Sequence, residues 1–188
     1  MLQEISDLDE KICEEIKEWS KHALEIPNKN YNNLPSCPYA KKAWHDNKVA
    51  FSFKRDTDYS MLHAIIDNFK DNKDLVILID LDYEDNESFH NYLNLINQMI
   101  NQNMFTTQDM WVMGFHPDDD VNELIDDGSF EEVINEEYSL IFIQRLSKLQ
   151  ESANKLKKLG YYDKYYNEYN VKDIYEQREN FYRSLKWQ

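Results

Sequence analysis

A thiol surrounded by basic residues is the first feature of this chain that could do chemistry. The stretch SCPYAKKAWH, residues 36–45, places Cys37 directly before a proline, with Lys41 and Lys42 close behind it. Positive neighbours lower the pKa of a thiol and enrich the nucleophilic, metal-binding thiolate. A helix beginning in this stretch would add its dipole to that effect. The alternative is a small buried residue in a turn bracketed by two prolines.

A second candidate is His116, which a predicted strand delivers into the segment FHPDDD. Imidazole exchanges protons near neutrality, so His116 suits a general base or a metal ligand. The acids that follow it, with Asp80 or Asp82, could hold a hard divalent cation such as Mg²⁺. A mixed metal site would use Cys37, His116 and Asp118. The alternatives are a packing histidine and a helix N-terminus whose dipole the acids complement.

Three strands must position these residues, and the sequence places them at 49–53, 74–81 and 110–116. Helical periods separate the strands at 59–69 and 88–101, with Ser88 as the expected N-cap. Strands joined by helices predict parallel pairing with right-handed crossovers. We therefore expect an α/β domain with a small, largely parallel sheet of about three or more strands and flanking helices.

Further helices complete the predicted domain. An amphipathic helix is expected over 5–25, short helical pieces over 121–134, and a long helix over 136–159 that Gly160 ends. Residues 1–160 then form a single domain. Residues 161–188 form a tyrosine-rich arm or helix that docks on the domain or on another subunit.

Ligands of open parallel sheets bind beyond the carboxyl ends of the strands. Three predicted strands end there in ionisable residues, which indicates a site at that edge. These residues are Lys54, Arg55, Asp56 and Asp58 after the first strand, Asp80 and Asp82 after the second, and His116 and Asp118 to Asp120 after the third.

Composition excludes several classes of function. The 188 residues carry 36 acids against 21 bases, a net charge of −15, so nucleic acids and anionic membranes are disfavoured partners. No apolar run approaches the roughly 20 residues that span a bilayer. Neither GxxxxGK nor GxGxxG occurs, which argues against common nucleotide-binding loops.

The same composition suggests where the protein works. An acidic N-terminus without a signal-like region and only two cysteines, Cys13 and Cys37, predict a soluble, cytoplasmic protein. Usage rich in Asn and Lys and poor in Gly is typical of an AT-rich genome, such as that of a phage or a marine bacterium.

Three motifs in order resemble those of the bacterial domain-of-unknown-function family 1415. CPYAKKAW at 37–44 is similar to the CPFAK signature of that family, and FHP at 115–117 is similar to its motif after a late strand. Asn135 with YSLIFIQR resembles its NRSPYPTLHLLRE segment. The resemblance spans roughly residues 10–155 and implies one shared site formed by Cys37, Pro38, His116, Pro117 and Arg145.

The chain also departs from the family pattern. Asp80-Leu81 stands where the family tends to have His-Pro, and an apolar residue near Phe142 replaces its late histidine. If those histidines bind a metal in the family, this chain has lost or altered that site.

Two main functions are consistent with these observations. The first is an enzyme-like domain that binds a small molecule or a divalent metal. Cys37 would be its nucleophile or metal ligand, His116 its base or metal ligand, and Arg145 its clamp for a carboxylate or phosphate.

The second is a non-catalytic, acidic adaptor, phage-encoded in one version. It would bind a protein through the acidic surface or the tyrosine-rich tail. A mimic of nucleic acid is a third, less favoured idea. The oligomeric state is left open.

Overall fold

The secondary structure follows the residue patterns closely in the N-terminal two thirds of the chain. The computed structural model describes residues 6–120, 137–164 and 171–185. Within those ranges the strands are β1 (Pro27–Asn28), β2 (Leu34–Pro35), β3 (Val49–Lys54), β4 (Leu75–Asp80), β5 (Trp111–Phe115) and β6 (Ser139–Gln144). The α-helices are α1 (Asp7–Trp19), α2 (Ala40–His45), α3 (Ser60–Asp67), α4 (Asn86–Asn101), α5 (Leu146–Lys158) and α6 (Val171–Leu185).

A four-stranded mixed sheet with the strand order β3-β4-β6-β5 is the centre of the fold. β3 and β4 are parallel, whereas β6 runs antiparallel between β4 and β5. β1 and β2 form a separate antiparallel ribbon. The α/β class is confirmed. The prediction of a largely parallel sheet is wrong, because an antiparallel strand separates β4 from β5.

That antiparallel strand, β6, lies inside the region predicted as a long helix over 136–159. Leu140, Ile141 and Ile143 are all buried, so both faces of β6 are covered. A short, continuous apolar run is typical of such a central strand. Apolar residues in this run also fall at helical spacings, which extended the predicted helix too far back. The actual helix, α5, begins at Leu146.

Each face of the sheet packs against different helices, which gives the domain two apolar layers. On one side, the α1 face, buried residues of β3, β4 and β6 contact Ile12 and Ile16 of α1. On the other side, the α4 face, residues such as Leu78 and Ile141 contact α3 and α4. The alternation of strand side chains between two faces produces this division.

Side-chain caps determine where two of the helices begin. The Ser6 hydroxyl accepts from the Asp9 amide, and the Asp9 carboxylate accepts from the Ser6 amide, which makes a capping box for α1. α4 begins at Asn86, where the Asp85 carboxylate accepts from the amide of Ser88. The prediction that Ser88 itself is the N-cap is therefore wrong by three residues.

The tyrosine-rich C-terminal segment carries α6, which packs against α5 and β5. Tyr182 is buried beside Trp111 and Leu146. Ahead of α6, Tyr161 stacks on Tyr31 with the ring centroids 4.9 Å apart. The short helical pieces predicted over 121–134 lie outside the described residues. No helix in the described ranges combines the length and the apolar character that a membrane crossing requires.

Helix α4 closes the outer edge of β5. The side chain of Asn97 accepts from the amide of Val112 at 2.9 Å and donates to its carbonyl at 2.8 Å. A Cβ on Gly114 would lie 2.4 Å from a ring carbon of Phe89, so the absent side chain lets α4 approach this closely. The buried side chain of Asn97 thus makes the hydrogen bonds to Val112 that a neighbouring strand would otherwise make.

We expect Asn97→Ala to lower the free energy of unfolding by about 2–4 kcal/mol, because both peptide groups of Val112 would be buried without partners. The measurement is urea denaturation of the full chain. Asn94→Ala, an exposed position on the same helix, is the matched control and should change stability by less than about 0.5 kcal/mol. Equal losses in the two variants would contradict the bridging role of Asn97.

Candidate functional site

The carboxyl ends of β3, β4 and β5 meet at one edge of the sheet, which we call the carboxyl edge. Lys54 pairs in register with Asp80, and Asp80 pairs with Ser139. His116 continues β5 one residue beyond Phe115, the last paired residue. Lys54, Asp80, Ser139 and His116 therefore form a polar row, one residue per strand. Alternation places the row on the α4 face, because the residues beside it face α1.

A buried ion pair is the strongest interaction in the polar row. The Lys54 Nζ lies 2.7 Å from Asp80 Oδ1, and neither side chain is exposed to solvent. The same ammonium donates to the carbonyl of Asp82 at 2.7 Å and lies 4.5 Å from the ring centroid of Tyr59. All of these contacts compensate for the loss of hydration that burying two charges entails.

Beside the ion pair, Ser139 Oγ is buried without a hydrogen-bond partner within the described part of the chain. The hydroxyl of Tyr59 interacts with the carboxylate of Asp80. Burial, followed by the charges of Asp80 and Glu84, raises the pKa of Tyr59, so its phenol stays neutral. Buried polar atoms normally have partners. The polar row therefore keeps unused capacity for hydrogen bonds.

His116 is buried, and backbone groups occupy both of its ring nitrogens. Nδ1 accepts from the amide of Asp118 at 3.1 Å, and Nε2 lies 3.0 Å from the carbonyl of Glu84. Since an amide can only donate and a carbonyl can only accept, the ring is the neutral tautomer with its proton on Nε2. In this arrangement neither nitrogen is available to bind a metal or to act as a base. His116 instead ties the loop after β4 to the loop after β5.

The carboxylate of Asp119 organises the same two loops. It accepts from the His116 amide at 2.7 Å and from the Asn86 side chain at 2.8 Å, and it lies 2.6 Å from His90 Nε2. Hydrogen bonds from these donors lower the pKa of Asp119 against the opposing effect of burial, which is the largest single contribution. Asp119 is thus occupied within the protein, whereas the Asp118 side chain is 81 % exposed.

Cys37 lies in the turn between β2 and α2. Its amide donates to the carbonyl of Leu24 at 2.9 Å, and its carbonyl accepts from the amide of Ala40 at 3.0 Å. Burial raises the pKa of the Cys37 thiol, although backbone amides at Tyr39 and Ala40 act against it. The prediction that nearby lysines enrich the thiolate is therefore wrong, because the cost of desolvation exceeds any stabilisation of the charge.

The structure does not bring Cys37, His116 and Arg145 together. Arg145 follows β6 at the opposite edge of the sheet, where it contacts Asp71 at 2.5 Å. Six residue steps of about 3.3 Å, or about 20 Å, separate its level from that of His116. The amide of Cys37 donates to the carbonyl of Leu24, which lies in the π-helical turn that extends α1. His116 lies on the α4 face of the sheet.

The candidate metal set is separated in the same way. Asp118 Oδ2 lies 3.7 Å from His116 Nδ1, but Cys37 belongs to a different part of the fold. Among the residues that the structure describes, no three His, Cys, Asp or Glu side chains are grouped as metal ligands.

An acidic rim surrounds the polar row at the carboxyl edge. The described loops at this edge and the first turn of α4 expose nine carboxylates, and these loops expose one cation, Arg55, which contacts Asp9. The carboxylates are Asp56, Asp58, Asp82, Glu84, Asp85, Glu87, Asp118, Asp120 and Glu137. The opposite edge of the sheet is different, since Lys48, Lys70, Lys73, Arg145 and Lys148 lie among its acids. The loops at the two edges of the sheet therefore differ strongly in charge.

Two members of the site, Ser139 and Tyr59, are not among the residues singled out from the sequence. Ser139 begins β6, so recognising the apolar run after it as a strand would have placed this serine at the edge. Tyr59 precedes α3, and it reaches the ion pair because the loop after β3 is short.

Compared with family models, curated proteins and solved structures, the chain matches none of them. The resemblance to the bacterial family stays a prediction.

Removing the cation of the buried pair should destabilise the fold strongly. We expect Lys54→Met to lower the free energy of unfolding by about 3–5 kcal/mol, since Asp80 would be left buried and unpaired. The double variant Lys54→Met/Asp80→Leu should recover most of this loss in urea denaturation. Lys148→Met, which breaks the surface pair with Asp74, is the control and should cost less than about 1 kcal/mol. A similar loss in both single variants would contradict this account.

The two thiols should react slowly near neutral pH. Burial raises the pKa of Cys13 to about 11, and it also raises that of Cys37. The thiolate is the form that reacts with iodoacetamide. The variant Cys13→Ser keeps only Cys37, and Cys37→Ser keeps only Cys13. At about pH 8, we expect each remaining thiol to react at least about tenfold more slowly than free cysteine. The rates should rise through the alkaline range. A fast reaction of Cys37 at neutral pH would instead indicate an activated nucleophile.

Proposed function

We propose that this chain is a non-catalytic interaction protein that binds a positively charged protein partner at its carboxyl edge. The observation that carries the proposal is the acidic rim, where the described loops and the first turn of α4 expose nine carboxylates and one cation. Charge concentrated on one edge attracts an oppositely charged partner and orients it during approach.

Backbone amides hold two of the rim carboxylates in place without neutralising them. Asp58 and Asp85 accept from backbone amides at Ser60 and Ser88, so their charges remain. Neutral His116 joins the two loops from which several other acids project. A surface that is ordered before binding loses less conformational entropy when its partner arrives, which favours affinity.

Tyr83 gives the rim an aromatic contact point. Its ring packs edge-on against His116 with the centroids 4.9 Å apart, and its hydroxyl lies 3.4 Å from Glu137. The side chain is half-buried, so part of it remains accessible. Tyrosine is enriched among residues that contribute most to protein interfaces, and it can pack against the stem of a lysine or an arginine.

A second candidate function is binding of a small polar molecule at the polar row. It is favoured by the buried hydroxyl of Ser139, which has no hydrogen-bond partner among the described residues. Such a ligand would donate hydrogen bonds and would be neutral or cationic, because the surrounding carboxylates repel phosphates and carboxylates. The enzyme-like site formed by Cys37, His116 and Arg145 has no comparable support, since the three residues lie apart.

The proposal is tested with an eight-residue oligolysine peptide and two variants of the full chain that each lose four carboxylates. The rim variant carries Asp82→Asn, Glu84→Gln, Asp118→Asn and Asp120→Asn. The control variant carries Asp46→Asn, Asp71→Asn, Asp173→Asn and Glu176→Gln, all at exposed positions outside the rim.

We expect the rim variant to weaken peptide binding at least about tenfold in fluorescence anisotropy, and the control variant to weaken it about threefold or less. Both variants have the same net charge, so the difference reports where the peptide binds. Added salt should reduce the difference, because it screens exposed charges. Equal weakening in the two variants would refute the proposal in favour of non-specific attraction.

A further inference from the structure

The two outer edges of the sheet are treated very differently. At β5, the side chain of Asn97 pairs with the outward peptide group of Val112, and α4 packs closely over Gly114. At β3, the backbone hydrogen bonds run inward to β4. The carbonyls of Lys48 and Lys54 accept from amides at Leu75 and Leu81, which shows that even-numbered residues face β4.

The odd-numbered residues of β3 must therefore direct their peptide groups away from the sheet. The carbonyl of Val49 is reached by the ammonium of Lys73 at 3.4 Å. No hydrogen bond from any described residue reaches the amide or carbonyl of Phe51 or Phe53. The outward peptide groups of half-buried Phe51 and buried Phe53 thus have no partner among the described residues, and we take them as the groups that another strand would pair with.

Proline, a bulge and an exposed charge, three features that often protect an edge strand, do not occur within the six residues of β3. Its sequence, VAFSFK, holds no proline, and its six residues pair with β4 without a bulge. Its one charged side chain, Lys54, is buried in the ion pair and cannot repel a neighbour. Unprotected edges of this kind recruit extended chains by adding a strand.

We propose that an extended, positively charged segment of the partner adds to β3 as a fifth strand. The sign of its charge rests on the proposed function. The net charge of −15 supports a positively charged partner, because two copies of this chain would repel each other. Asp56 and Asp58 lie exposed directly beyond β3, so a strand along this edge also reaches the acidic rim.

Aromatic side chains on the α1 face supply a matching surface for the added strand. Phe51 is half-buried and stacks on Trp44 at 5.7 Å between centroids. Alternate side chains of the partner strand would pack beside these rings, because residues on neighbouring strands point to the same face. The partner segment therefore alternates apolar residues with lysine or arginine.

The test uses the full chain and an eight-residue peptide of alternating lysine and valine, with a glutamate–valine peptide as its control. We expect the lysine peptide to slow hydrogen exchange at the amides of Phe51 and Phe53 at least about tenfold in NMR spectra. The glutamate peptide should not bind. Binding that leaves both amides unchanged, or no binding, would overturn the proposal.

A matched pair of variants isolates the backbone contribution. Phe51→Ala and Phe51→Pro both remove the ring, but only proline removes the outward amide, and neither change touches an amide bonded to β4. Phe51→Pro should bind the lysine peptide at least about fivefold more weakly than Phe51→Ala. Equal affinities would overturn the proposal. The exchange measurement on the unmodified chain decides the outcome if Phe51→Pro does not fold.

Other occupants of the edge give distinct results. Slow exchange of both amides in the absence of peptide would overturn the proposal. A dimer would then indicate that a second copy occupies the edge of β3. A monomer would indicate that another segment of the same chain occupies it. The rim variant separates the two proposals. Peptide that protects both amides equally well in the rim variant supports the added strand while refuting the acidic rim. Peptide binding that depends on the rim but protects neither amide supports the acidic rim and refutes the added strand.

Discussion

The buried pair of Lys54 and Asp80 is the interaction on which the arrangement of the carboxyl edge depends. It joins the ends of the two parallel strands, and through the carbonyl of Asp82 it also fixes the start of the loop that leads to α4. Two charges without solvent are tolerated only where their geometry is good and other hydrogen bonds assist them. The apolar sheet thus ends in a polar layer that sets the position of every loop above it.

Above that layer, the loops are joined mainly by neutral or backbone groups. His116 accepts from one backbone amide and donates to one carbonyl, and Asp119 gathers donors from both sides. Few cations are used within the rim, so its exposed carboxylates keep their charge for interactions outside the molecule. The carboxylates that have no cationic partner within the rim are the groups that would bind the proposed basic partner.

Much of the fold could be predicted from local patterns, because strong periodicity reflects burial directly. The strands that include Phe51, Ile77 and Val112 and the helices between them follow from it, and so does the meeting of Lys54, Asp80 and His116 at one edge. The order of strands could not be predicted. The insertion of β6 depends on pairing between distant segments, which single-residue patterns do not encode.

The same limit explains why the candidate site changed. Cys37, His116 and Arg145 were grouped by motif order, yet motifs that follow one another in sequence can end at opposite edges or faces of a sheet. The role of His116 depends on its two backbone partners, Glu84 and Asp118, and no sequence signal indicates which groups will occupy a ring nitrogen. Ser139 was missed because its strand was missed.

The central position of β6 has a consequence for the order of folding. β5 forms its only strand pairing in the described sheet with β6, which comes later in the chain. Until residues 139–144 have joined the sheet, β3 and β4 can already pair, but β5 has no strand beside it. Val112 then depends on helix α4 for cover, and Trp111 stays uncovered until α5 and α6 have formed. Assembly of the sheet is thus delayed until a late segment inserts between two earlier ones, a non-local step that slows folding.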